Sequence, residues 1–397
     1  MYKLYKLITI LAVILTILIL PPPQPAGACV FSDGTNIPAD LTTAQAGSHC
    51  LEISAGTFTI APTGGDWLSV IMPNVEIRGA GQGKTIIQTQ GITLTNNLYL
   101  IDVHAANTYV HDLTIQIGAG YRTGYEVGGI LANLGALQTM IQRVEIVGGY
   151  TGNGGNGFGI GMYQPWDQNG GRQGNTVRDC YVHDSPSTGI GVASNENKLL
   201  HNHIARVGTT PLQHGFYAQG GYNLYDGNLV ENASGYSFHA WKKIPNLDAS
   251  GDRYVNNVSI DPGFQHMIVS GLNNTSNPAF PNGKPLTRNV TITGNLFRNT
   301  GGRFAAGVVS DVPALIDGNT FEDVLKTGAQ TIGISTTASS SIVSNNRLTG
   351  SVAANGGGTI QINAPSIVTG NYIDNPGTYQ PFFGDTRGSV IANNLVR

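Results

Sequence analysis

A six-residue unit, apolar-x-x-Asn-x-apolar, recurs along the second half of this 397-residue chain and constrains its fold more than any other feature. It is read at Leu199…Asn202…Ile204, Tyr225…Asn228…Val230, Ile292…Asn295…Phe297 and Ile316…Asn319…Phe321. Val343…Asn346…Leu348, Val368…Asn371…Ile373 and Ile391…Asn394…Val396 continue it. Tyr254…Asn257…Ser259 fits with one polar exception. Val177…Cys180…Val182, Ile141…Val144…Ile146 and Val110…Leu113…Ile115 carry the frame backwards with the Asn replaced. Counted from Val110, successive anchors are 31, 36, 22, 26, 29, 38, 24, 27, 25 and 23 residues apart. A repeat of this length cannot bury its apolar face alone, so neighbouring copies must stack.

A second short strand follows each unit, alternating apolar and small residues. Examples are Gly189-Ile190-Gly191-Val192, Gly215-Phe216-Tyr217-Ala218, Ser237-Phe238-His239-Ala240, Thr331-Ile332-Gly333-Ile334 and Thr359-Ile360-Gln361-Ile362. Alternation with period two over so few residues is strand patterning. Two or three strands and tight bends per repeat make a β-solenoid, with rungs about 4.8 Å apart and each strand paired to its copy in the next rung. The Asn at one bend then forms a buried ladder, satisfying polar groups that would otherwise cost about 1–3 kcal/mol apiece. Cys180 stands in the ladder slot between Val144 and Asn202 and reads as a small buried filler. The expected fold is all-β: a single-stranded parallel β-helix of roughly eleven to thirteen rungs. Each rung contacts only its neighbours, so residues 29–397 read as one domain.

The composition fits. The chain has 54 Gly, only 11% charged residues and a formal net charge of −3. That leaves no basic footprint for nucleic acid, and 40% hydrophobic content argues against a disordered chain. At the N-terminus, Lys3 and Lys6 precede an uncharged run from Leu7 to Leu20, then Pro21-Pro22-Pro23 and Ala26-Gly27-Ala28. Residues 1–28 therefore read as a signal peptide, too short for a membrane span, and the mature protein as secreted or held at the cell surface. Cys29 directly after the site also allows a lipid anchor, although Ala26 stands where lipoprotein signals prefer Leu. Export permits disulfides. Cys29 with Cys50 is the natural pair, and closing that loop contributes about 3 kcal/mol.

Leu51-Glu52-Ile53-Ser54-Ala55-Gly56-Thr57-Phe58, Val75-Glu76-Ile77-Arg78-Gly79-Ala80-Gly81 and Thr85-Ile86-Ile87 resemble the opening turns of the pectate-lyase-like β-helix superfamily. With the Asn ladder, the resemblance covers essentially all of 29–397, with 29–60 as an N-terminal cap. It implies a right-handed helix. The superfamily includes polysaccharide lyases, glycoside hydrolases, uronate epimerases, phage tailspikes and non-catalytic surface proteins, so it implies no one activity.

Aligning the second strands on their inward pairs (Ile160/Met162, Ile190/Val192, Phe216/Ala218, Phe238/Ala240) gives an outward column Gly161, Gly191, Tyr217, His239. A second column reads Tyr163, Ala193, Gln219, Trp241, and the same offset places His266 outward in the next rung. Gly161 and Gly191 leave the face open beside Tyr217, while Lys242 and Lys243 continue the strand end. This set suits β-elimination on a uronate polymer, which needs a base, an acid and a group that neutralises the carboxylate. His239 is the candidate base, Tyr217 the acid and Lys242 the neutraliser. Tyr163, Trp166, Gln219, Trp241, Lys243 and His266 are candidates for binding an extended polysaccharide. Enlarged loops on either side, one carrying Trp166 and Asp167 and one spanning 270–289, would wall the cleft.

The alternative is a non-catalytic surface or glycan-binding solenoid. Hydrolysis ranks third, because glycosidases use two carboxylates and the aligned columns hold none; Asp167, Glu126 and Asp252 remain from loops. Asp184 beside His183 shares its slot with Asn232, Asn299 and Asp323, which marks a turn residue. No metal site is expected. Calcium is possible but not indicated, since the Gly152–Gly157 run lacks Asp, and His201 with His203 reads as solvated. No pattern specifies an oligomer.

Overall fold

The computed structural model describes residues 28–60, 67–89, 97–118, 127–149, 157–163, 173–241, 250–270, 289–299, 305–324, 331–336, 340–350, 360–374 and 381–397. A typical rung contributes three short strands, such as Thr176–Arg178, Tyr181–Ser185 and Thr188–Ala193. The next contributes Lys198–Leu200, His203–Val207 and Phe216–Ala218. Every strand pairs in parallel with its counterparts one rung away. The anchors expected from the repeat are register partners along the whole stack: Val110, Ile141, Val177, Leu199, Tyr225, Tyr254, Ile292, Ile316, Val343, Val368 and Ile391. Third strands form one sheet of twelve, from Leu68–Val70 to Phe382–Gly384, within the expected number of rungs.

The ladder is continuous from Asn202 to Asn394. Each Asn Nδ2 donates to the Oδ1 of the next Asn at 2.9–3.0 Å. That Oδ1 also accepts the backbone N–H of the previous ladder residue. Nδ2 donates a second time to the anchor carbonyl one rung back, for example Asn202 to Val177 at 2.9 Å. All the donors and acceptors of a buried amide are thus used, which is why Asn and no apolar residue recurs there. Cys180 ends the file: its N–H donates to Asn202 Oδ1, and burial pushes its thiol up to about 12. A second polar file, Thr139, Asn175, Asn197, Asn223 and Asp252, runs along another bend and has no counterpart in the six-residue unit.

The residue before each ladder position adopts a left-handed conformation: Asp179 (φ 54°), His201 (φ 54°), Gly227 (φ 65°), Asn256 (φ 54°), Gly294 (φ 66°) and Gly318 (φ 64°). Only Gly enters this region without cost, with Asn and Asp next. This one recurring bend accounts for part of the Gly content. Asp184 (φ 50°), Asn232, Asn299 and Asp323 mark the corresponding bend after the second strand, so Asp184 is a turn residue, ion-paired to Arg206.

The N-terminal cap contains a helix that strand periodicity does not reveal, Ile37–Ala46. Asn36 caps it by accepting from the Ala39 N–H, and Ile37, Leu41 and Ala44 are buried in the core at that end of the stack. Strand Val30–Ser32 pairs with Cys50–Ile53, and Cys29 is disulfide-bonded to Cys50. A sulfur held in that bond is not available to a lipid. No helix among the described residues is long and apolar enough to cross a membrane.

Replacing one mid-ladder Asn orphans partners on both sides. Asn295→Ala is expected to lower the unfolding free energy by about 2–4 kcal/mol, measured by equilibrium denaturation. A loss under about 0.5 kcal/mol would show that the ladder is dispensable.

Candidate functional site

The third sheet carries the expected outward column in register: Gly161 beside Gly191, Gly191 beside Tyr217, Tyr217 beside His239. The Tyr217 and His239 ring centroids are 5.2 Å apart. Gln219 is buried, and its Nε2 donates to the Tyr217 hydroxyl at 3.1 Å. Trp241, half-buried, lies 5.5 Å from His239. Tyr163 is half-buried beside Ala193, three rungs from Trp241. Trp166, Lys242, Lys243 and most of both enlarged loops lie outside the described residues.

Two expectations need correction. The glycines do not leave the face open: the Phe158 ring lies over them, and a Cβ on Gly191 would come within 2.5 Å of it. His266 does not face outward. It is fully buried, with Nδ1 2.6 Å from Ser259 Oγ and Nε2 2.6 Å from the Asn299 carbonyl. The cause is the corner that leads into the third strand. There two consecutive residues face the core, so strict alternation fails for one step. Gly159, Gly189, Gly215 and Ser237 occupy this inward slot in the preceding rungs. His266 fills it in the next, since Met267 is the register partner of Phe238. Ser259, the polar exception in the repeat, is the partner that this buried imidazole requires.

The same corner hides the residues that sequence reasoning missed. One step earlier lie Phe158, Thr188, His214 and Tyr236, a file that an alignment extended by two residues would have shown. His214 is buried, with Nε2 2.7 Å from His239 Nδ1. The Tyr236 backbone N–H donates to His214 Nδ1 at 3.2 Å. Gly235 permits that approach, because a Cβ there would fall 2.5 Å from His214 Nδ1. Tyr236 stacks on His239 at 4.6 Å and meets the edge of Phe264 at 5.0 Å. Two histidines and two tyrosines are therefore packed together at mid-sheet, with Trp241 and Phe264 beside them.

Burial sets the ionisation of this group. It drives His214 down to about 2, with repulsion from His239 adding to the effect. It raises Tyr217, against the opposing Gln219 hydrogen bond, and lifts Tyr236 to about 12. At neutral pH His214 is uncharged and both tyrosines are phenols. Such a face offers hydrogen-bond donors, a proton-transfer pair and flat aromatic surfaces to a polar ligand.

Elsewhere four histidines, His104, His111, His183 and His203, pair with acids. His111 bridges Glu76 and Asp112, His183 bridges Glu145 and Asp184, and His203 meets Glu231, all on the first and second strands. His201 is the left-handed turn residue noted above. Asp102, in the outward column of the third sheet, lies four rungs or about 19 Å from Tyr217 and is paired with His104. Among the described residues no group of three or more metal-ligating side chains is gathered.

No protein-family model matches the chain, and neither does any curated protein. Solved structures do. The A-module of mannuronan C-5 epimerase AlgE4 from Azotobacter vinelandii aligns over 93% of this chain and 98% of its own, at 17% identity and TM-score 0.60. A double-mutant tailspike of E. coli bacteriophage HK620, in complex with a pentasaccharide, aligns over 86% of this chain and 62% of its own, at 12% identity and TM-score 0.57. The Agl-KA catalytic domain aligns over 90% and 64%, at 14% identity and TM-score 0.54. The chain thus has the right-handed parallel β-helix fold that these structures share.

A histidine neutral in the fold and protonated in the unfolded chain makes stability fall as the pH is lowered. His214 (about 2) and His266 (about 3) lie far below their ordinary 6.5, so stability is full above pH 6.5 and declines below it. Each contributes a slope of up to about 1.4 kcal/mol per pH unit. Between pH 6.5 and 5, before most carboxylates titrate, His266→Gln should flatten the plot of unfolding free energy against pH. An unchanged slope would contradict the buried neutral assignment.

Proposed function

We propose that the protein is exported and acts on an extended, uronate-containing polysaccharide lying across the third sheet, cleaving it by β-elimination. The observation that carries this reading is the contact of Tyr217 with His239 at mid-sheet, among Tyr236, Trp241 and Phe264. Aromatic faces suit sugar rings. The hydroxyl of Tyr217 accepts from Gln219, which leaves its own proton to be given to the leaving glycosidic oxygen. His239 and Lys242 divide the other two tasks, removal of the carbon-bound proton and neutralisation of the carboxylate. A mannuronan epimerase module and an oligosaccharide-bound tailspike share the fold, which supports a carbohydrate partner. The absence of carboxylates from the aligned columns near Tyr217 sets hydrolysis lower. The predominance of aromatic groups over ionisable ones keeps a second reading, a glycan-binding solenoid without chemistry.

Incubating the mature protein with uronate and neutral polysaccharides separates these readings. Ultraviolet absorbance from unsaturated ends is expected with a uronate polymer, reduced about 100-fold or more in Tyr217→Phe and His239→Ala. Reducing ends without absorbance would replace the lyase by a hydrolase. Binding without product would leave the glycan-binding solenoid.

A further inference from the structure

Resting on that reading, we infer that Phe158 is a sugar-stacking platform beside Tyr217, seated on Gly161 and Gly191, which binds the pyranose on one side of the bond to be cleaved. Phe158 opens the strand Phe158–Tyr163, but its ring does not stay in its own rung. Its Cδ1, Cε1 and Cγ lie 2.5, 2.6 and 2.9 Å from where a Gly191 Cβ would be. From the corresponding point on Gly161 its Cδ2 is 3.7 Å away. The ring therefore leans along the stack, over the residue whose register partner is Tyr217. A side chain at Gly191 would collide with it, so the glycine is what lets the ring lie against the sheet. Leu131, the register partner of Gly161, closes the other side, with its Cδ1 2.8 Å from where a Gly161 Cβ would be. A ring that served only the core would point inward, and the inward places of this strand are taken by Ile160 and Met162. With its inner side against glycine backbone, the exposed part of this half-buried ring is its outer side.

The order of residues along the stack gives the platform its role. Phe158 over Gly191, then Tyr217, then the strand that ends in Trp241 occupy three successive rungs, about 10 Å from first to last. An aromatic side chain thus lies on each side of Tyr217 along the axis of the solenoid. A polymer running along that axis stacks one sugar on Phe158 and places another towards Trp241. The oxygen that links them comes to the rung of Tyr217, whose proton it takes in the elimination. Stacking of this kind uses the C–H face of a pyranose and the face of the ring. It does not involve the carboxylate, so the platform takes neutral and uronate sugars alike, and selection for uronate belongs to other residues of the site.

Titration calorimetry and proton NMR with uronate and neutral oligosaccharides test this. Phe158→Leu keeps an apolar side chain but no flat face, so it should fold and bind about fivefold more weakly. Phe158→Tyr keeps the face and should bind as the unaltered protein does. Gly191→Ala, which pushes the ring off the sheet, should weaken binding as Phe158→Leu does. With the unaltered protein the ring current should move C–H protons of one bound sugar upfield, and Phe158→Leu should abolish that shift. Equal affinity and unchanged sugar shifts in Phe158→Leu would overturn the platform and leave the uronate reading in place. Preference for a neutral oligosaccharide, with an affinity that depends on Phe158, would end the uronate reading and keep the platform. Failure of every oligosaccharide to bind the unaltered protein would overturn both.

Discussion

The hydrogen bond from one ladder asparagine to the next is the interaction on which the rest of this molecule depends. It sets the bend between the first and second strands at the same point in every rung from Asn202 to Asn394. With that bend fixed, the anchors stay in register and the third strands stack as one continuous sheet. A rung displaced by one residue would turn every side chain of its third strand to the other face. It would also strand a buried amide with no partner. Tyr217 and His239 are neighbours because Asn202, Asn228 and Asn257 are.

The solenoid also explains how a charge-poor chain concentrates chemistry. Parallel stacking brings equivalent positions of successive rungs about 4.8 Å apart, so a few substitutions in adjacent repeats make a site without any change in architecture. His214 stands where the preceding rung has Thr188, and His239 stands one rung after Tyr217. A second example is the core pair of Ser259 and His266, in which a buried imidazole and the hydroxyl that serves it arise in one rung. Outside the face, histidines bridge acids between rungs and contribute to the stack itself.

How much of this was legible in the sequence follows from where the chain is periodic. The Asn units and the alternation of Phe216/Ala218 and Phe238/Ala240 set register, rung number and the Tyr217–His239 contact correctly. The Cys29–Cys50 pairing was legible from spacing and export. Alternation failed at the corner before the third strand, where two successive residues turn inward. That one irregularity put His266 on the wrong side and concealed His214 and Tyr236. The helix Ile37–Ala46 was missed because it belongs to the cap, where no repeat operates. The Phe158 ring over Gly161 and Gly191 was illegible for another reason: a glycine in a column shows that room is made, and not what fills it.

The central claim is that the third sheet at Tyr217, Tyr236, His239 and Trp241 is the surface that meets a uronate polymer. Hydroxyl-radical footprinting with and without a uronate oligosaccharide tests it most directly. Protection of Tyr217, Tyr236 and Trp241 is expected, with Tyr109 and Tyr181 on the first and second strands unaffected. Protection of Tyr109 or Tyr181 with the third sheet unchanged would contradict it.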